Sequence, residues 1–168
     1  LIDIIPEFNL YEEFWKIYTK SDILPPQYLA DTSKVFRSII GEGTQIYGEV
    51  YNSVIGSGVT IEEGAIVRDS IIMQNARIGA GAVIDKSIIA EGTEIGEGAV
   101  LGVGDEAPNA LNAKVYAFGL VTIGENSYIP PRVQIGKNTA ISGVTEPSDY
   151  ENGLLPSGGS IIKGGAAR

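Results

Sequence analysis

The residues whose types and spacing could do chemistry are few: the carboxylate pairs Glu12-Glu13, Glu62-Glu63 and Asp105-Glu106, the turn Gly102-Val103-Gly104, and the cations Lys20, Lys114 and Arg132. A carboxylate pair can hold a divalent cation or divide acid and base roles between its members. These pairs sit in a chain with 21 acids against 12 bases and a net charge of −9, so a solvated acidic face accounts for them. The glycine turn lacks what a phosphate cradle needs, a helix opening behind it and a Lys-Ser/Thr pair beside it. Each of the three cations could meet an anionic effector at an interface, but singly each reads as a surface charge. Histidine and cysteine are both absent from the sequence. That removes imidazole bases, thiolate nucleophiles, thiolate metal sites and disulfides together. No catalytic residue and no metal ligand set can be assigned.

The elements that must position whatever function remains are set by an aliphatic repeat. The composition is 43% hydrophobic but only 8% aromatic, with 22 glycines, which points to a repeat with a tight turn in every unit. Ile55, Ile61 and Val67 are followed by Ile72, Ile78 and Ile84 and then by Ile89, Ile95 and Leu101, at steps of six, six and five. The triplet of steps then recurs, and its three columns predict a three-sided coil. Two positions before each aliphatic stands a small or β-branched residue such as Val59, Ala65, Ser70 or Ala76, which alternation places on the same inward face. One position earlier come Gly58, Gly64, Asn75, Gly81, Gly92 and Gly98, types that enter left-handed backbone at least cost and so mark corners. At the shorter steps the corner falls on Asp69 or Lys86, where a tighter turn is expected.

The same pattern begins earlier, at Ile40 and Ile46, with a shortened rung through Val50 to Ile55. It resumes at Ile123, Ile129, Ile135 and Ile141, with Asn126 and Asn138 at corner positions. Between the two runs, residues 102–117 break the spacing with proline, acids and glycine, which predicts a loop extruded from one corner. A helix would need apolar spacings of three and four, and each corner glycine would cost it about 1 kcal/mol. The fold class expected is therefore all-β, a parallel β-helix of hexapeptide repeats over residues 35–163. Residues 1–34 form a linker and capping segment, with a short helix over 10–16 capped by Asn9 and an extended run through Pro25-Pro26. The turn-rich stretch from Gly143 ends in a short strand, Ser160-Ile161-Ile162-Lys163, and residues 164–168 form a tail.

Charge and hydropathy exclude several partners. The bases are scattered singly, so there is no nucleic-acid footprint. No apolar run approaches the roughly 20 residues of a membrane span, which predicts a soluble, cytoplasmic protein with no membrane partner. Leu1 opens a stretch without the basic start and long apolar core of a signal peptide, and reads as the interior of a longer chain. Hexapeptide solenoids include acyltransferases and zinc carbonic anhydrases, and both chemistries need histidine. The absence of that residue weighs against either enzyme, and the alternatives are an acyltransferase that has lost its histidine and a non-enzymatic scaffold.

Three stretches carry a family resemblance. The first is Asn9-Leu10-Tyr11, then Trp15-Lys16-Ile17-Tyr18-Thr19 and Leu24-Pro25-Pro26-Gln27-Tyr28. The second runs from Ile46-Tyr47-Gly48-Glu49-Val50-Tyr51-Asn52-Ser53 into Val67-Arg68-Asp69-Ser70-Ile71-Ile72-Met73. The third runs from Gly119-Leu120-Val121-Thr122-Ile123 through Ile129-Pro130 to Ile135-Gly136-Lys137-Asn138. Together they resemble the C-terminal β-helix of bacterial glucose-1-phosphate adenylyltransferases of glycogen synthesis. The resemblance implies a left-handed coil. It also implies a parent that makes ADP-glucose and pyrophosphate from ATP and glucose 1-phosphate with magnesium, in an N-terminal catalytic domain that these residues do not include. No catalytic residue carries over, and no cofactor is expected in this fragment. What the resemblance implies for the β-helix is packing against its own catalytic domain, assembly into a homotetramer, and in some members a site for an anionic effector. Strongly regulated relatives tend to place basic residues where this chain has Asp22 and, in a late strand, Glu125. That leaves Lys20 and Lys114 as the effector-binding candidates and predicts a weak or absent sugar-phosphate response.

Overall fold

A computed structural model describes Phe14 and residues 23–164. Apart from Phe14, the helix expected over 10–16 lies outside the described residues, as do Lys20, Asp22 and residues 165–168.

The architecture is the expected left-handed parallel β-helix, built from three sheets in which every ladder is parallel. Sheet A stacks Tyr28–Leu29, Gln45–Ile46, Thr60–Ile61, Arg77–Ile78, Glu94–Ile95 and Tyr128–Ile129. Sheet B stacks Lys34–Phe36, Glu49–Tyr51, Ile66–Arg68, Val83–Asp85, Val100–Val103, Gln134–Gly136 and Leu154–Leu155. Sheet C stacks Ile39–Ile40, Val54–Ile55, Ile71–Ile72, Ser87–Ile89, Val121–Ile123, Thr139–Ser142 and Ser160–Ile162. The chain visits A, B and C in turn. Ile78 pairs with Ile61 and Ile95, Ile84 with Val67 and Leu101, and Ile72 with Ile55 and Ile89, which are the three columns of the repeat. All nine side chains are buried, and burying an Ile or Leu in full contributes about 1.5–3 kcal/mol.

The corners show how the turns are made. Gly58, Gly64, Asn75, Gly81, Gly92 and Gly98 all have positive φ, between 56° and 71°. The corners of the shorter steps also enter the left-handed region, with Asp69 at φ 47° and Lys86 at 43°, although neither is glycine. A column of serines supports them. Ser53, Ser70 and Ser87 each donate Oγ–H to the carbonyl two residues back, at 2.6–2.8 Å. Ser70 N–H donates to Ser53 Oγ at 3.1 Å, and Ser87 N–H to Ser70 Oγ at 3.0 Å. A hydroxyl, rather than smallness alone, is what that inward position uses.

Three features differ from the sequence expectation, and the shortened rung that it contains has a physical cause. Tyr28–Leu29 pairs with Gln45–Ile46, so the ladder starts inside the segment expected to be linker. The short rung is made by cutting the corner at Gly48, where an added Cβ would collide with the Ala65 carbonyl. The excursion runs from Gly104 to Leu120, a little later than 102–117, because Gly102-Val103 stays in the strand. Leu154–Leu155, read as part of a turn-rich flank, forms a strand on Gln134–Gly136, which places one further rung between Gly143 and Lys163. That rung has no full strand in sheet A. Val144 makes a single parallel bridge to Tyr128 there, and a 3-10 turn, Pro147–Asp149, follows and leads into Tyr150, which is buried in the core cluster.

Candidate functional site

The loop at 104–120 leaves the corner between sheets B and C, where the step along the ladder from Ile89 to Ile123 is twice that from Ile72 to Ile89. Gly102 (φ 91°) lets the departing strand pass close to its neighbour, since a Cβ there would lie 2.6 Å from the Asp85 carbonyl oxygen. This close approach gives the Gly102-Val103-Gly104 turn a packing role.

Two asparagines anchor the loop. Asn109 is buried; its Oδ1 accepts from the Leu111 and Asn112 N–H groups at 2.9 and 3.0 Å, closing a turn. Its Nδ2 donates to the Asn138 carbonyl at 2.8 Å and to Ser160 Oγ at 3.0 Å. Asn138 answers by accepting from Gly119 N–H at 2.7 Å and donating to the Ala107 carbonyl at 2.9 Å. The anchored loop exposes Leu111, Val115 and Phe118, the last at 83%. Glu106, Pro108, Tyr116, Phe118 and Asn138 line an open depression at its base.

Of the candidate cations, Lys114 is exposed on this loop. Arg132 stands at a corner between sheets A and B, with φ 60°, and lines a separate open depression with Gln134, Glu151, Asn152 and Leu154. Lys114 is not among the residues of either depression, and Lys20 lies outside the described residues. Glu125 lies in a turn after the strand Val121–Ile123 and is exposed. Among the carboxylate pairs, Glu62 bonds Arg77 Nη2 at 2.7 Å, and Asp105 and Glu106 face solvent. Among the described residues no group of three carboxylates converges on a point that could hold a metal ion. The described residues therefore do not fit a magnesium–nucleotide site.

Sequence reasoning missed the outward face of sheet B. Lys34 Nζ pairs with Glu49 Oε1 at 2.7 Å, and Tyr51 Oη donates to Glu49 Oε2 at 2.7 Å. The hydrogen bond from Lys34 holds the Glu49 carboxyl below its ordinary range, while the bond to Glu49 raises Lys34 and Tyr51. Phe36 stacks on Tyr51 with ring centroids 5.6 Å apart, and Arg68 faces Asp85 on the next strands. Carrying the repeat backwards through the shortened rung, from Arg68 to Tyr51 and on to Phe36, could have found this column. Sheet A likewise shows Arg77 and Glu94 outward, in register. Sheet C does not: its outward columns, Ile39 to Ser160 and Gly41 to Ile162, contain no charged residue.

None of these surfaces assembles a nucleophile with a base; what they offer is binding and packing. Among the described residues no helix is long and apolar enough to cross a membrane. Residues 27–123 match the family model described as GlmU-like, C-terminal hexapeptide. A glucose-1-phosphate adenylyltransferase of Lachnospira eligens is 67% identical over 98% of this chain, which covers 39% of that protein. Enzymes of the same description from Acetivibrio thermocellus (39% identical, 98% of this chain and 39% of the relative) and Thermotoga maritima (50%, 94% and 37%) align similarly. Among solved structures, the acetyltransferase domain of PglB from Neisseria gonorrhoeae FA1090 covers 84% of this chain and 57% of its own at 19% identity, with a TM-score of 0.43. This chain thus spans about two fifths of the length of the relatives it matches, at their C-terminal end. It belongs to the GlmU-like C-terminal hexapeptide family, as the C-terminal β-helical part of the glucose-1-phosphate adenylyltransferase type.

Proposed function

We propose that this β-helix is the assembly and regulatory half of an enzyme that converts ATP and glucose 1-phosphate to ADP-glucose and pyrophosphate. The chemistry, with its magnesium ion, belongs to an N-terminal catalytic domain, and the β-helix packs on that domain and joins the subunits of a homotetramer in the cytoplasm. The observation that carries the reading is the 67% identity over 98% of the chain to the C-terminal two fifths of an enzyme of that description. The outward-facing surfaces agree with it, because they are built for contact rather than for bond making.

An effector role is weak in this reading. Lys114 stands exposed, Arg132 shares its depression with Glu151, and Glu125 adds negative charge where strongly regulated relatives are basic. The test is to express the complete reading frame and assay ADP-glucose formation with and without fructose 1,6-bisphosphate, with light scattering for subunit number. Activity in a tetramer, changed less than about twofold by the effector, is expected. A frame encoding no nucleotide-binding domain, or a complete protein without this activity, overturns the reading.

A further inference from the structure

The last rung is closed by a turn with a chemistry of its own. Leu154 N–H donates to the Glu151 carbonyl at 3.0 Å across Asn152 and Gly153, whose φ values are 51° and 77°. Positive φ at both central residues is the requirement of a type I′ turn, and Asn-Gly meets it well. Asn-Gly occurs once in the sequence. It is also the pair in which a main-chain nitrogen most readily attacks the side-chain amide before it, because glycine places no Cβ beside that nitrogen.

The coil supplies its own comparison. Asn52, Asn75, Asn126 and Asn138 occupy corners with φ between 50° and 56°, the same backbone region as Asn152. Each is followed by an inward residue of the repeat, Ser53, Ala76, Ser127 or Thr139, none more than 2% exposed. A buried neighbour with a Cβ leaves a ring little room to close and water little access to open it. Asn52 and Asn138 are tied as well, through Nδ2 to Asp69 and to the Ala107 carbonyl. Asn152 is exposed and its neighbour Gly153 half-buried, with no atom beyond the chain neighbours within 4 Å of where a Cβ would stand. Arg132 lines the same depression as Asn152, and a cation there favours the negative charge that develops as the ring closes.

We propose that Asn152 is a modification site, at which Gly153 closes a succinimide on the side chain and water opens it to a carboxylate. The Gly153 nitrogen gives up its proton and bonds to Asn152 Cγ; the Cγ–Nδ2 bond breaks and Nδ2 leaves as ammonia with a proton gained. Water then adds to either ring carbonyl. Opening at Cγ gives aspartate, and opening at the main-chain carbonyl gives isoaspartate, whose chain runs through Cβ and Cγ. Isoaspartate puts an extra atom inside the turn. It displaces the Gly153 carbonyl, which accepts from Gln134 N–H at 2.8 Å where Leu154–Leu155 begins to pair with Gln134–Ile135. It also strains the 3.2 Å bond from Gly153 N–H to the Tyr150 carbonyl. The modification therefore loosens the rung that Tyr150 closes.

The complete protein is held for several weeks in mildly alkaline buffer at physiological temperature, and samples are digested beside a zero-time control. Mass spectrometry follows the exchange of amide for carboxyl at each corner asparagine, and labelling by an isoaspartyl methyltransferase counts isoaspartate. Conversion severalfold faster at Asn152 than at Asn52, Asn75, Asn126 or Asn138 is expected, with isoaspartate among its products. In the converted fraction the amides of Gln134–Gly136 should exchange about fivefold faster, the loss of roughly one hydrogen bond. Gly153→Ala, which has space for its methyl, should slow the conversion severalfold. An Asn152 that stays intact in the folded protein, while the same peptide converts once released by digestion, overturns the proposal, because the turn then blocks ring closure. Conversion spread evenly over the corner asparagines, or an unchanged rate in Gly153→Ala, overturns it as well. Unchanged exchange at Gln134–Gly136 refutes the loosening of the rung.

Discussion

Asn109 donates its Nδ2–H to the Asn138 carbonyl across the base of the loop, and each of the two side chains spans between the loop and the coil. Asn109 fixes the loop to the last rungs, and Asn138 fixes the segment on either side of it. Replacing Asn109 by Ala leaves the Leu111 and Asn112 N–H groups and the Asn138 carbonyl without that partner. A buried group left unpaired costs about 1–3 kcal/mol, so a loss of about 2–4 kcal/mol is expected on denaturation. Amides across 104–120 should exchange faster while those of sheets A to C before Gly102 hold their protection. Uniformly faster exchange throughout would show that the pair secures the whole coil and not the loop.

Ser70 is the middle of a ladder in which each hydroxyl serves two rungs. Ser70→Ala strips the buried Ser87 N–H and the half-buried Arg68 carbonyl of a partner. The predicted loss is about 1–3 kcal/mol. Ala65→Gly, at the matching inward position of sheet B, removes one methyl and should cost about 1 kcal/mol. Urea melts of the two variants compare them. If Ser70→Ala is the milder change, the hydroxyl column is only filler.

Most of the coil was legible because its core is a strict positional code: an aliphatic residue, a small one two before it, a corner residue before that. Where the code is written in other residues it was not legible. Tyr28–Leu29 reads as an aromatic linker because its partner, Gln45–Ile46, is the only sign that it is a strand. Leu154–Leu155 follows Gln134–Ile135 at a longer step than separates Val67 from Ile84 or Ile84 from Leu101, so the regular period does not reach it. Asn109 was invisible as an anchor because its partners, Asn138 and Ser160, are distant in sequence and meet it only once the rungs stack. The apolar face of sheet C, by contrast, was present in the residues between the inward aliphatics.

Lys86 and Gly81 offer a test of what the corners cost. Both occupy left-handed backbone, at φ 43° and 65°, and no atom outside its chain neighbours would lie within 4 Å of a Cβ on Gly81. Gly81→Ala therefore reads the backbone penalty alone, a loss of about 1 kcal/mol. Lys86→Gly removes that penalty and should raise stability by about 0.5–1 kcal/mol. Opposite signs in matched thermal melts are the expected result. A destabilising Lys86→Gly would mean that the lysine side chain contributes more than its backbone conformation costs.

Tyr150 closes the far end of the core, and its hydroxyl shares a 2.8 Å hydrogen bond with Thr145 Oγ1. Burial raises the phenol from an ordinary 10.0 to about 12, with the neighbouring Asp149 adding to the rise against the opposing Thr145 bond. The folded state thus prefers the neutral phenol, so the stabilisation is complete below the unfolded value near 10 and disappears as pH climbs through the folded value near 12. Tyr150→Phe cannot ionise. At neutral pH it should be less stable than the parent by about 1 kcal/mol, the worth of one hydrogen bond. Between pH 10 and 12 the parent should lose stability faster than the variant, so that the gap closes or reverses. Taking the difference between the two proteins cancels the other tyrosines and the lysines that titrate in the same window. Urea midpoints at stepped pH measure it, and parallel curves across that window would mean that Tyr150 ionises as freely in the last rung as in the unfolded chain.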